Sequence, residues 1–99
     1  MDDDFVYLIK GLEVEKIIAL LNEGKKPSEE FFGVLNWFIH CHPDPEVLKK
    51  IEILMVVILE KNLFEFEYKR LWFQEDLIKL RSNIKISQEL QDYYSFNHL

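Results

Sequence analysis

Apolar side chains recur every three or four residues through much of this chain, and this helical spacing is the feature that most restricts its fold. The pattern is clearest in one stripe of four residues: Leu48, Ile51, Met55 and Ile58. Such a stripe falls on one face of an α-helix. Asp44 precedes Pro45, a favoured helix start because the carboxylate caps free backbone N–H groups. The spacing therefore predicts a helix over about residues 45–61.

The same spacing predicts three helices upstream. A helix of about two turns begins near Phe5. It follows three aspartates, whose negative charge suits the positive end of a helix dipole. A second spans about residues 13–23 and ends at Gly24, in the position of a C-cap glycine. Ser28 is a suitable N-cap for a third helix that runs to about Cys41. Because this third helix is apolar nearly all round, we expect it to be the central element, covered on two sides.

Beyond residue 62 the apolar period changes. Aromatic residues alternate with charged ones over 64–68, and two isoleucines flank Lys85; a period of two indicates a half-buried strand. We therefore predict two short β-strands, near 63–68 and 83–87, on either side of a helix at about 74–82. The predicted fold class is mainly α: a compact domain of four to six helices stacked as antiparallel pairs, with these two strands.

The chain has 99 residues, of which 48% are hydrophobic and 30% charged, a balance that supports one folded domain over residues 1–99. Its longest nearly continuous apolar run, 53–59, is far shorter than the roughly 20 residues that cross a bilayer, so no membrane association is predicted. The lone Cys41 cannot form an internal disulfide, and no secretory leader pattern opens the chain. We expect a cytoplasmic protein, in the host cytoplasm if the source is viral.

Residues 10–28 contain a glycine, an acidic amphipathic helix ending in Leu-Leu-Asn-Glu-Gly, and the short loop Lys-Lys-Pro-Ser. This order resembles the outer helix of an ankyrin repeat. A second copy follows, in which residues 32–41 are similar to the inner helix and residues 44–62 to the outer one. The resemblance covers about residues 5–62 and implies stacked helix pairs that bind other proteins.

His40, Cys41 and His42 form the one cluster of metal-ligand residue types along the sequence. Zinc sites usually present two sets of closely spaced Cys or His ligands, whereas this cluster is a single set, and its two histidines point about 200° apart on a helix. Cys41 falls on the apolar stripe with Phe38, which predicts a buried structural thiol. We therefore predict no catalytic, metal or cofactor site, and a metal-dependent enzyme using this cluster is the third hypothesis.

Acidic residues dominate the N-terminal third: residues 1–30 hold eight acids against four lysines, and the whole chain carries a net charge of −6. Contacts to nucleic-acid phosphates need clustered Lys and Arg, so no direct nucleic-acid binding is expected, and a partner protein with a basic surface is predicted. The predicted partner-binding residues are acids of this segment together with aromatic residues near the C-terminus: Asp2, Asp3, Glu13, Glu15, Trp72 and Tyr94.

The first functional hypothesis is a small acidic protein-binding domain that is not an enzyme. An accessory or inhibitor protein of a virus, prophage or mobile element, of the immunity or antitoxin type, fits this description, because small acidic inhibitors use electrostatic steering toward basic targets. The alternative is a structural protein that forms homodimers or larger homo-oligomers by pairing its 63–68 segment, since an unpaired edge strand invites such pairing.

Overall fold

The structure, a computed structural model, describes residues 4–41 and 44–97, and the side chains of these residues as far as residue 93. The described residues form five α-helices, which confirms the prediction of a mainly helical chain. In chain order they are α1 (Asp4–Lys10), α2 (Val14–Asn22), α3 (Glu29–Cys41), α4 (Pro45–Lys61) and α5 (Glu67–Asn97).

Two side-chain caps start α3 and α4 at the predicted residues. The Ser28 Oγ accepts a hydrogen bond from the Phe31 backbone N–H at 3.4 Å. The Asp44 carboxylate accepts one from the Glu46 N–H at 2.9 Å, with Pro45 in the first turn. Each cap satisfies a backbone donor that the helix itself leaves unpaired, so both starts follow from local chemistry.

Glycine ends α2 as predicted. Gly24 has a φ of 90°, a left-handed conformation that side chains with a Cβ rarely adopt. The Gly24 N–H donates to the Leu21 carbonyl at 3.0 Å and the Lys25 N–H to the Leu20 carbonyl at 3.2 Å. This pair of bonds is the Schellman motif, which satisfies the last carbonyls of the helix.

The largest correction concerns the C-terminal third. A loop and the first residues of α5 replace the strand predicted near 63–68, and α5 replaces the strand predicted near 83–87. No β-strand occurs in the ranges 4–41 and 44–97, and the helix predicted at 74–82 is the middle of a 31-residue helix. Ile84 is buried whereas Ile86 is exposed, because residues two apart on a helix point about 200° apart. Phe66 and Tyr68, which suggested the other strand, are both exposed and stack on each other at 5.6 Å.

The core lies between the helices, and α3 and α4 hold its middle. Among the described residues, α3 contacts α1, α4 and α5, while α4 contacts α2, α3 and α5; α1 also contacts α2. Trp37 is exposed, so α3 has one solvent-facing side despite its apolar composition. The side chains almost wholly withdrawn from water come from all five helices: Ile9, Ile17, Phe31, Leu35, Ile39, Leu48, Ile51, Leu54, Met55, Ile58 and Leu80.

Four buried residues at helical spacing attach α5 to this core: Phe73, Leu77, Leu80 and Ile84. Two polar contacts add to them. The Asn83 side-chain amide donates to the Ile39 carbonyl of α3 at 2.9 Å, and the Arg81 Nε donates to the Glu52 carboxylate of α4 at 2.6 Å. A 31-residue helix is roughly 46 Å long, so α5 sets the 50 Å long dimension of the molecule.

Candidate interaction surface

An aromatic cluster forms the floor of a surface groove where the start of α5 meets the start of α3. The Phe73 ring lies 5.1 Å from the Phe64 ring and 5.9 Å from the Phe32 ring, and the Phe32 and Phe64 rings are 6.0 Å apart. Phe73 is buried in the core and the other two rings are half-buried. The floor is therefore apolar, and it is fixed in place by packing on the core.

The groove encloses about 430 Å³. Trp72 forms one of its walls with 61% of the residue exposed, and the Tyr68 ring supports it edge-on at 5.0 Å. We call this site the Trp72 groove. Its lining is Pro27, Glu29, Phe32, Leu63, Phe64, Glu65, Lys69, Trp72, Phe73 and Asp76.

Three carboxylates and one ammonium group lie among the lining residues of the Trp72 groove. The Lys69 ammonium is 4.0 Å from the Glu29 carboxylate and 5.7 Å from the centre of the Phe66 ring. The Asp76 carboxylate lies 4.0 Å from the His40 Nε2, and Glu65 is exposed. The rim is consequently acidic around an apolar floor.

Arg70 lies in the same turn of α5 but does not offset this acidity. Its guanidinium donates to the Glu67 carboxylate three residues earlier, with the Nε bond at 3.1 Å. This hydrogen bond lowers the pKa of Glu67 and raises the pKa of Arg70. The two charges neutralise each other, so the local excess of carboxylates remains.

Adjacent aromatic residues on α5 take opposite environments. Successive residues on a helix point about 100° apart. Phe73 therefore packs in the core with 6% of the residue exposed, whereas Trp72 lies at the border of the core with 61% exposed. One residue of this pair is therefore in the core and the other is in contact with solvent. Trp72 is the predicted partner-binding residue that the structure places in the groove.

The other predicted binding residues are elsewhere. Glu13 and Glu15 line a second groove of about 450 Å³ between α2 and α4, where Glu13 pairs with Lys16 at 3.1 Å and Lys50 adds another positive charge. Charges in that lining are balanced. Asp2 and Asp3 lie outside the described residues, as does the side chain of Tyr94.

Sequence reasoning missed most of the groove. Phe32 and Phe64, together with the acidic rim residues, carry no motif, and alternation over 64–68 suggested a strand rather than a loop leading into α5. The spacing of Glu29 and Phe32 does hint that both lie on one helix face. Their proximity to the start of α5 depends on packing between helices distant in sequence.

The predicted burial of Cys41 is wrong, because its side chain is exposed. Cys41 is the last residue of α3 and lies about 60° around the helix from Phe38, at the edge of the buried stripe. His40 is also exposed, and His42 lies outside the described residues. Within the described part of the chain, no group of three or more His, Cys, Asp and Glu side chains is arranged to hold a metal ion.

Cys41→Ser is therefore expected to leave the fold intact. Replacing an exposed thiol with a hydroxyl should change the free energy of unfolding by about 0.5 kcal/mol or less. Urea denaturation followed by circular dichroism measures this change. A loss above about 1 kcal/mol, as a buried thiol would produce, would contradict the exposure of Cys41.

No protein-family model, curated protein or solved structure matches this chain. In the described ranges, no helix combines the length and the apolar character needed to cross a lipid bilayer.

Proposed function

We propose that the protein is a non-enzymatic protein-binding module that uses the Trp72 groove to hold an apolar side chain of a basic partner segment. The observation that carries this proposal is an aromatic groove with an acidic rim, walled by the exposed Trp72. Trp is enriched at the energetic centres of protein interfaces, where a large apolar ring is surrounded by polar groups. A pocket of this kind suits a Leu, Met or Phe anchor.

The chemistry of the rim defines the partner. Glu29, Glu65 and Asp76 attract Lys or Arg residues flanking the anchor, while Lys69 is already close to Glu29. The net charge of −6 adds long-range attraction toward a basic surface. This chemistry fits the accessory or inhibitor class inferred from the sequence, whose members act by occupying a partner's surface.

The proposed architecture agrees with this role. We infer that α1–α2 and α3–α4 are two antiparallel helix pairs stacked on each other, with α5 covering the open side of the second pair. In support, α1 contacts α3, α2 contacts α4, and α5 contacts both α3 and α4. Ankyrin-like stacking of this kind would present the groove at the junction between the second pair and the covering helix.

The second surface is the α2–α4 groove with Glu13 and Glu15. Its floor is apolar, formed by Leu12, Val14 and neighbouring side chains, but Lys16 and Lys50 balance its acids. A basic partner would gain less from entering it. The metal-dependent alternative has weaker support, because within the described residues His40 and Cys41 belong to no group of three or more side chains arranged to hold a metal ion.

A peptide-selection experiment tests the proposed function. Short random peptides displayed on phage are selected on the immobilised full chain, and the affinities of recovered peptides are measured by isothermal titration calorimetry. We expect peptides with an apolar residue flanked by Lys or Arg. Trp72→Ala should weaken them about thirtyfold, the effect of losing a 2 kcal/mol hot spot. Tyr7→Ala, which removes another exposed aromatic ring, should leave their affinity unchanged.

Paired charge variants separate the two grooves. Glu29→Gln with Glu65→Gln should slow association of the selected peptides, and added salt should reduce the difference from wild type because exposed charges are screened over about 10 Å at 0.1 M salt. Glu13→Gln with Glu15→Gln removes the same charge from the α2–α4 groove and serves as the control. Equal slowing by both pairs, or peptides without basic residues, would contradict the assignment to the Trp72 groove.

A further inference from the structure

The free protein holds a cation of its own in the Trp72 groove, the ammonium group of Lys69. The Lys69 side chain extends from α5 and places this group 4.0 Å from the Glu29 carboxylate, at the start of α3. The same ammonium lies 5.7 Å from the centre of the Phe66 ring. Lys69 and Glu29 both line the groove. Because the groove lies between the starts of these two helices, the Lys69 side chain crosses it.

The groups around the Lys69 ammonium are those that proteins use to bind a basic side chain. A carboxylate offers hydrogen-bond acceptors and a negative charge, and the face of an aromatic ring attracts a cation through its quadrupole. The Phe66 ring is stacked on the Tyr68 ring, with 5.6 Å between centres and 21° between planes, and Tyr68 in turn contacts Trp72. The Phe66 ring is therefore held by contacts that continue into the groove wall. We call the Glu29 carboxylate and the Phe66 ring the cation subsite.

Lys69 is held weakly in the cation subsite. The Glu29 side chain is 98% exposed and the Lys69 side chain is 42% exposed. Water therefore screens their attraction, and ordering two long side chains costs conformational entropy. A cation above an exposed ring adds only a small stabilisation. A basic side chain from another molecule can consequently displace Lys69 at little cost, but a lysine gains almost nothing by the exchange because it offers the same ammonium group.

An arginine gains more from the exchange. Its planar guanidinium donates two parallel N–H···O bonds to one carboxylate and stacks on an aromatic face, whereas an ammonium acts as a compact point charge. We propose that the cation subsite binds an arginine of the partner segment, which displaces Lys69 into solvent. The inference rests on the proposed function, since the partner's apolar anchor must occupy the groove floor to bring a basic neighbour to Glu29. Lys69 is then the residue that makes the subsite select arginine over lysine.

Three versions of each recovered peptide test this selectivity. Each basic residue next to the apolar anchor is made arginine, lysine or uncharged norleucine in turn, and affinity for the full chain is measured by isothermal titration calorimetry. At one of these positions the arginine peptide should bind the wild-type chain about three- to tenfold more tightly than the lysine peptide. The lysine and norleucine peptides should agree within about twofold. Equal affinities for arginine and lysine at every position overturn the proposal.

Lys69→Met separates displacement of this lysine from the effect of net charge. The substitution keeps the length of the side chain and removes its ammonium, so the arginine and lysine peptides should gain about three- to tenfold in affinity. The norleucine peptide should bind as it does to wild type. Lys79→Met is the matched control, because Lys79 is an exposed lysine of α5 that is not among the groove-lining residues. An equal gain from both variants, or no gain from Lys69→Met, overturns the proposal.

Nuclear magnetic resonance reports directly on the occupant of the cation subsite. In the free chain, the ring current of Phe66 should shift the ε-methylene protons of Lys69 upfield from those of Lys79. Saturation with the arginine peptide should abolish this difference, and Phe66→Ala should abolish it without peptide. An upfield shift that is absent from the free chain, or that persists at saturation, overturns the proposal.

Dependence on Trp72 distinguishes failure of this proposal from failure of the proposed function. Recovered peptides whose affinity is the same for wild type and Trp72→Ala would overturn both. Peptides that lose affinity for Trp72→Ala, but show neither the arginine preference nor the gain with Lys69→Met, would overturn the arginine subsite and leave the proposed function standing.

Discussion

Ile51→Ala is expected to lower the free energy of unfolding by about 2–5 kcal/mol, the range found when a buried isoleucine is truncated and leaves a cavity. Ile51 is 0% exposed and lies in the middle of the α4 stripe, between Leu48 and Met55. Neighbouring side chains come from helices on several sides of α4. Little collapse into the vacated space is possible, because the surrounding backbone is held by its own packing.

The matched control is two residues away on the same helix. Ile53 is 57% exposed, so Ile53→Ala removes the same atoms from an isoleucine that is largely in water and should cost about 0.5 kcal/mol or less. Both values come from urea titrations monitored by circular dichroism. Equal midpoints for the two variants would mean that the stripe of α4 does not face the core.

Phe73→Ala and Trp72→Ala should separate stability from binding at neighbouring positions. Phe73 contacts the Phe32 and Phe64 rings and is 6% exposed, so its truncation should cost about 3–5 kcal/mol. Trp72 is 61% exposed, and its truncation should cost less than about 1 kcal/mol. The effect on peptide affinity should not follow the effect on stability. Trp72→Ala removes a wall of the Trp72 groove and should weaken peptide binding, although the variant remains folded.

Thermal unfolding and peptide titration on the same two variants measure this separation. Phe73→Ala is assayed at low temperature, where the folded population is largest, and Phe73→Leu keeps the core apolar if the alanine variant does not fold. A Trp72→Ala chain that loses as much stability as Phe73→Ala would show that Trp72 is a core residue, and the Trp72 groove would then lose its wall.

Local sequence signals predicted the first four helices closely. Ser28, Asp44 and Gly24 act through hydrogen bonds to backbone groups within five residues, so their effect needs no tertiary structure. The predicted 45–61 helix coincides with α4 because cap, first-turn proline and apolar stripe all agree. The ankyrin-like resemblance over 5–62 remains a prediction, as does the acidic binding role of the N-terminal third.

The sequence-based predictions were wrong where one pattern of apolar residues is compatible with two structures. The alternation of apolar and charged residues around Lys85 fits a strand with one solvent-exposed face. It also fits a helix that has apolar residues on two sides, as in α5, where Ile84 is buried and Ile86 is exposed. The predicted burial of Cys41 was wrong for a related reason. Helical spacing places a residue on an apolar stripe, but it does not show how far along that stripe the neighbouring helix covers it. Both errors concern which side of a helix another element covers.

Hydrogen-bonded caps and apolar periodicity are short-range properties, so the sequence was enough to predict the first four helices and the main apolar stripe of α4. The remaining features depend on how the helices pack against one another. This packing brought Phe32 of α3, Phe64 of the loop and Phe73 of α5 into one floor, and it left Ile78 and Ile86 in water. The physical reason is that burial depends on the packing of segments tens of residues apart, and no local pattern specifies which of two apolar faces meets the core.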